Sequence, residues 1–133
     1  MFLATVFIGL CFSSIAICRN AETQLKNFLE NNSAIDSEKS LNDYRSVVSA
    51  CMYMTLAQIA IICVALCLIA VLIWIKGISG ALSVPLLGIT LGFGKEVGKL
   101  EDKARMLTST TPDLDRRYQE ISEVWRKKAL PNF

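Results

Sequence analysis

Few side chains in this sequence of 133 residues could do chemistry, and their spacing narrows the choice further. There is no histidine, so the commonest general base, the commonest metal ligand and the usual haem axial ligand are all missing. The five cysteines, Cys11, Cys18, Cys51, Cys63 and Cys67, sit in or at the ends of apolar stretches. A disulfide framework would place them in a polar, loop-rich secreted chain instead. Cys63 and Cys67 are four apart and share a helical face, but without histidine or a nearby carboxylate a metal site lacks its usual ligands. They are expected to pack as small, soft residues. Cys18 stands beside Arg19 at an apolar boundary where acylation is open to it; packing is again the preferred reading. No glycine-rich loop leads into a lysine and a hydroxyl in phosphate-binding order, and Phe93-Gly94-Lys95 reads as the exit turn of a helix. The carboxylates lie in polar stretches, with no sign of the cavity a catalytic acid needs to shift its pKa. No catalytic, cofactor-binding or metal-binding residue is assigned, and the chain is not expected to be an enzyme.

The apolar stretches hold a second set of polar groups: Thr55 and Gln58 in one, Thr90 in another. None of the stretches contains an ionisable Asp, Glu, Lys or Arg, which argues against a proton or ion pump. Gln58 lies near the middle of its stretch and wants a partner across a helix interface, a bond worth about 0.6–2 kcal/mol. Its alternative role is a pore-lining amide.

What must position these groups follows from the apolar residues, which make up 53% of the chain. They concentrate in 1–18, 47–75 and 77–94. The middle stretch runs 29 residues without a charge, longer than the ~20 that span a bilayer. The expected fold class is all-α: an integral membrane protein with three apolar helical segments and a two-helix amphipathic C-terminal tail. Residues 1–18 form the first transmembrane helix, or an uncleaved signal anchor, since no positive n-region precedes them. Residues 19–46 form a polar helical connector with five acidic and four basic side chains. Within it, Asn20 caps a short helix through Leu29, with Ala21, Leu25, Phe28 and Leu29 on one face. Asn31-Asn32-Ser33 breaks that helix; it also matches a glycosylation pattern, but the loop-breaker reading is preferred. Ser40 and Asp43 offer a capping box for a second helix that ends near Lys76, where Trp74 and Lys76 form an interfacial anchor pair.

Residues 47–94 are then a transmembrane helical hairpin. Its second arm is rich in glycine and carries Pro85. Gly77, Ala81, Gly88 and Gly92 fall near one face, and Gly88-Ile89-Thr90-Leu91-Gly92 is a GxxxG, a pattern that lets helices approach closely in lipid. These four residues and Gln58 are the candidate helix-packing positions. A crossing helix is preferred to a re-entrant segment. Residues 95–133 form the tail. Val97, Leu100, Ala104 and Leu107 make one stripe. Thr111-Pro112 opens a last helix whose stripe, Leu114, Tyr118, Ile121 and Trp125, is a candidate partner-docking surface that could equally fold back on the preceding helix or lie on the bilayer.

Three crossings with the N-terminus outside put connector and tail in the cytoplasm, with thirteen of fourteen basic residues inside, as the positive-inside rule prefers. The tail's nine basic residues are mixed with seven acidic ones, too weak a bias for nucleic acid. The expected partners are the lipid bilayer and other membrane subunits or further copies of the chain, with no small-molecule substrate inferred. The favoured function is a non-catalytic assembly subunit of a membrane complex or homo-oligomer. In layout the chain also resembles phage holins, which implies a pore-forming or membrane-permeabilising oligomer. More distantly, the Lys76-Gly77 turn between apolar helices resembles pilin subunits of conjugative secretion systems.

Overall fold

The computed structural model describes residues 2–77 and 83–131, apart from the side chains of Ser83 and Phe93. It is all-α: α1 spans Phe2–Asn31, α2 Glu38–Lys76, α3 Ser83–Arg105 and α4 Pro112–Lys127.

α1 is one uninterrupted helix where a first span and a separate short helix were expected. Asn20 does not cap a new helix; it sits in mid-helix. No glycine or proline lies between Leu10 and Asn31. An interior Asn costs less than about 0.7 kcal/mol, below the cost of nucleating a second helix. The helix stops at Asn31, at the expected breaker, where the Asn32 side chain donates to the Phe28 carbonyl. α2 starts three residues earlier than the Ser40–Asp43 box implied. Its cap is Ser37, whose hydroxyl accepts from the Ser40 N–H at 3.2 Å while the Ser37 N–H donates to Ser40 Oγ at 3.1 Å. Ser40, buried inside the first turn, thus closes the box rather than opening one. α2 ends at Lys76, as expected, with Gly77 at φ +59°, a conformation that favours glycine.

α3 carries the described part of the third apolar stretch, 83–94, and most of the first amphipathic tail segment as one helix. Phe93-Gly94-Lys95 is therefore helix interior and not an exit turn. Pro85 falls in the first turn of α3, where its missing N–H breaks no bond of the ladder. Among the described residues, two helices, α1 and α2, are long and apolar enough to cross a membrane. The apolar part of α3 that is described, 83–94, would rise only about 18 Å as helix.

α1 and α2 pack antiparallel. The buried positions of α1 are Phe7, Ser14, Cys18, Ala21, Leu25 and Phe28; on α2 they include Leu41, Tyr44, Val48, Cys51, Ala65, Ile69 and Leu72. Both follow the alternating three- and four-residue steps of a heptad seam. Fourteen residues separate Ser14 from Phe28 on one helix and Tyr44 from Gln58 on the other, and both cross-pairs touch, so the register holds over two heptads. α3 lies along α1.

Two cores result. One, of Phe7, Ala65, Ile69 and Leu87, joins α1, α2 and α3 at the apolar end. The larger, at the charged end, gathers Leu25 and Phe28, Ile35, Leu41 to Met52, Ala104 and the four stripe residues of α4. The α1–α2 and α3–α4 connections meet here. Ile35, fully buried, donates its N–H to the Thr108 carbonyl at 2.9 Å and accepts from Thr110 N–H at 3.2 Å.

Candidate interaction surfaces

Three hydroxyls of the apolar region donate to carbonyls of their own helices. Ser13 donates to the Gly9 carbonyl, Thr55 to Cys51 and Thr90 to Leu87. Such back-bonds remove the cost of a hydroxyl that meets no water. Gln58, singled out as a packing position, uses its amide nitrogen to donate to Ser14 Oγ across the α1–α2 seam. Its Oε1 is buried and has no hydrogen-bond partner. Ser14 is 2% exposed and was not singled out from the sequence, where it reads as one more small residue in an apolar run.

The glycine positions are dispersed. Gly77 is the cap of α2. Ala81 lies outside the described residues. Gly88 and Gly92 face outward, and a Cβ built on either meets nothing within 4 Å. Within the chain α3 turns Leu87 and Thr90 inward instead. Among the described residues, no neighbouring helix is seated on the small face. Around it the apolar ends are uncovered: Phe12, Ile59, Val64, Leu66, Val71, Ile89 and Leu91 are exposed. Only 17% of the most apolar eighteen residues of α1, and the same share in α2, are buried, unlike the core helices of a water-soluble fold. Trp74, 91% exposed, ends α2 beside Lys76. Cys63 and Cys67 are exposed and Cys18 is buried. Among the described residues, no group of histidine, cysteine or carboxylate side chains could hold a metal.

The stripe on α4 is occupied. Leu114, Tyr118, Ile121 and Trp125 are all buried against the chain itself, chiefly on α2. Tyr44 is the hub, with ring centroids 5.6 Å from Phe28, 4.8 Å from Tyr118 and 6.1 Å from Trp125. Its phenol lies 2.8 Å from Ser122 Oγ, and burial raises its pKa. Tyr118 donates to the Ala104 carbonyl at 2.7 Å, and burial raises its pKa also. Arg105 stacks over the Trp125 ring at 4.5 Å, a cation–π contact. Arg117 pairs with Glu38 across the surface. The stripe was legible as a hydrophobic face; Tyr44 and Arg105, which receive it, carried no such signal.

A cavity of about 260 Å³ opens where α1, α2 and α3 meet, between the two cores. Ile17, Ala21, Met54 and Val97 give it apolar walls, and Gln58 and Glu101 also line it. The Glu101 side chain is 20% exposed and lies 3.6 Å from Arg105; burial raises its pKa despite that neighbour.

No model of a known protein family, no curated protein and no solved structure matches the chain.

Proposed function

We propose that the chain is a non-catalytic integral membrane protein acting as an assembly subunit, joined to other membrane subunits or to its own copies through the apolar helices. The observation that carries this reading is the uncovered apolar surface together with the open Gly88–Gly92 face. In water, exposed apolar surface of that extent marks an interaction site; in a bilayer most of it meets lipid. Small residues are then where a second helix gains contact that lipid does not supply. The self-satisfied hydroxyls suit the same setting. With the α4 stripe buried in the chain's own core, the open surface left for assembly is in the membrane and not in the tail.

The core that connector and tail share supports a topology with both on one side of the bilayer. The positive-inside rule assigns that side to the cytoplasm. α1 and α2 cross, and a third crossing through 77–94 brings α3 back to the shared core.

The test is the mass of the particle extracted in mild detergent from native membranes, set against 14.7 kDa for one chain. Gly88→Leu with Gly92→Leu adds side chains where the chain has open space, so folding persists while the particle falls to the mass of one chain. A wild-type particle already of that mass, with no co-eluting chain, sinks the assembly reading. Dye leakage from cells expressing the chain would replace it with the permeabilising function of the holin-like layout.

A further inference from the structure

The unpaired carboxylates of the chain gather at one end. Glu30, Asp36, Asp43 and Asp113 have no ion pair or hydrogen bond among the described residues, and they lie at the end of α1, in the connection to α2 and near the starts of α2 and α4. Nearer the apolar bundle the carboxylates are matched: Glu22 by Lys26, Glu96 by Lys99 and Glu101 by Arg105. Three exposed cations there are not. Arg19, Lys95 and Lys128 have no ion pair or side-chain hydrogen bond among the described residues. They share one level. Cys18, Thr55, Gln58 and Gly94 line one cavity, so Arg19 and Lys95, the next residues of α1 and α3, stand beside Thr55 and Gln58 of α2. Lys128 reaches that level from the end of α4, because it lines a groove with Thr55, Leu56 and Ile59. The charge-free stretches of α1 and α3 end at this level. The groove between α2 and α4 has a volume of about 180 Å³. Met52, Leu56, Ile59 and Trp125 give it apolar walls, and Ile59 is 53% exposed. The carboxylate in the groove, Glu101, faces Arg105, so that pair cancels and Lys128 leaves a net positive charge.

We propose that this boundary binds phospholipids of net negative headgroup: one at the α2–α4 groove, its phosphate on the Lys128 ammonium and its first methylenes on Leu56 and Ile59, and others drawn in by Arg19 and Lys95. The proposal rests on the reading of the chain as a membrane protein and does not depend on its assembly. A cation near a membrane surface favours acidic lipid about fivefold at low salt. Lysine carries its charge on a flexible four-carbon stem, so the ammonium meets a headgroup while the stem lies along apolar surface. An acidic protein segment would satisfy the charge, but it would leave the apolar wall of Leu56 and exposed Ile59 uncovered. A lipid satisfies both.

The experiment uses the full chain with Trp74→Phe, which leaves Trp125, in the groove wall, as the single tryptophan. It is placed in phosphatidylcholine discs that contain a share of phosphatidylglycerol, with brominated chains on one lipid or the other. Quenching of Trp125 reports which lipid sits at the groove. At low salt phosphatidylglycerol is expected to be preferred about fivefold over phosphatidylcholine, and the preference to fall toward one in about 0.5 M salt. Lys128→Gln, at an exposed position past the end of α4, keeps the fold and removes most of the preference. Arg19→Gln with Lys95→Gln lowers the amount of phosphatidylglycerol that stays with the chain on extraction. Lys39→Gln, an exposed cation at the far end of the charged core, changes neither readout. A chain that does not enter phosphatidylcholine discs overturns the membrane reading and this proposal together. Entry with equal quenching by the two lipids, or a preference that survives Lys128→Gln, overturns this proposal alone; equal quenching with retention of polyglutamate would give the cations to an acidic protein segment instead.

Discussion

The carboxamide nitrogen of Gln58 donates to the hydroxyl of Ser14, joining the centres of the two longest helices at a polar step of their shared seam. Ser14→Ala removes the partner and leaves the whole amide unpaired among apolar groups, at a cost of about 1–3 kcal/mol. Gln58→Leu with Ser14→Ala removes both ends and recovers most of that loss. Reversible unfolding of the two single variants and the double variant in detergent checks this. Additive losses would show that the bond does not couple the helices.

Tyr118 acts on a helix it does not belong to. α3 ends at Arg105, so the Ala104 carbonyl is among the last four that find no N–H within their own helix. The Tyr118 hydroxyl supplies the missing donor at 2.7 Å in a fully buried setting. Tyr118→Phe should cost about 1–3 kcal/mol, and amide exchange over 101–105 should quicken. Tyr44→Phe should cost less, about 0.5–1.5 kcal/mol, because half-buried Ser122 can turn to water.

Glu101 gives the charged-end core a pH dependence. Burial places its folded pKa above the ordinary 4.5, against the pull of Arg105 and with the push of Asp102. Across the interface it faces the buried Cys51 thiol of α2. A raised folded pKa means that the group favours folding in acid, and that this contribution is lost as pH rises through the folded value. Glu101→Gln should therefore match wild type near pH 4 and exceed it near pH 7, as about one ionisation is removed over that range. Parallel stability–pH curves for the two proteins would contradict the assignment.

Cysteines substituted at the exposed positions Lys39 and Lys128, in a chain whose five native cysteines are replaced, should react with an impermeant thiol reagent from the same side of the membrane. The reason is covalent and spatial at once: Lys39 opens α2, Lys128 closes α4, and both helices contribute to one core. Reaction from opposite sides would mean that the core is not formed in the bilayer.

The apolar stretches, the breaker at Asn31, the end of α2 at Lys76 and the stripe of α4 could be read from the sequence because each contrasts with its neighbours. The seam between α1 and α2 could not. From Phe7 to Cys18 and from Cys51 to Leu72 the residues off the seam are as apolar as those on it, so periodicity carries no contrast, and the heptad steps appear only once burial is known. Ser14 was hidden in that way. The junctions at Arg19 and Lys95 misled for the opposite reason: composition changes sharply there while the backbone continues as helix, because polarity sets what a helix faces and not where it stops. The cavity had no sequence signal, since Gly94 and Gly98 look like any helix-weakening glycines until the space beside them is seen.

The charged-end core also fixes an order of events in synthesis. Phe28 and Tyr44 are made early, but the rings that cover Tyr44 from the far side, Tyr118 and Trp125, emerge from the ribosome only after every apolar segment. Until then the face of Leu25, Phe28, Tyr44 and Val48 stands partly bare. A chain arrested before Pro112 can thus hold all its apolar segments and still display an aromatic surface, a mark by which a chaperone or protease can tell an unfinished copy from a finished one.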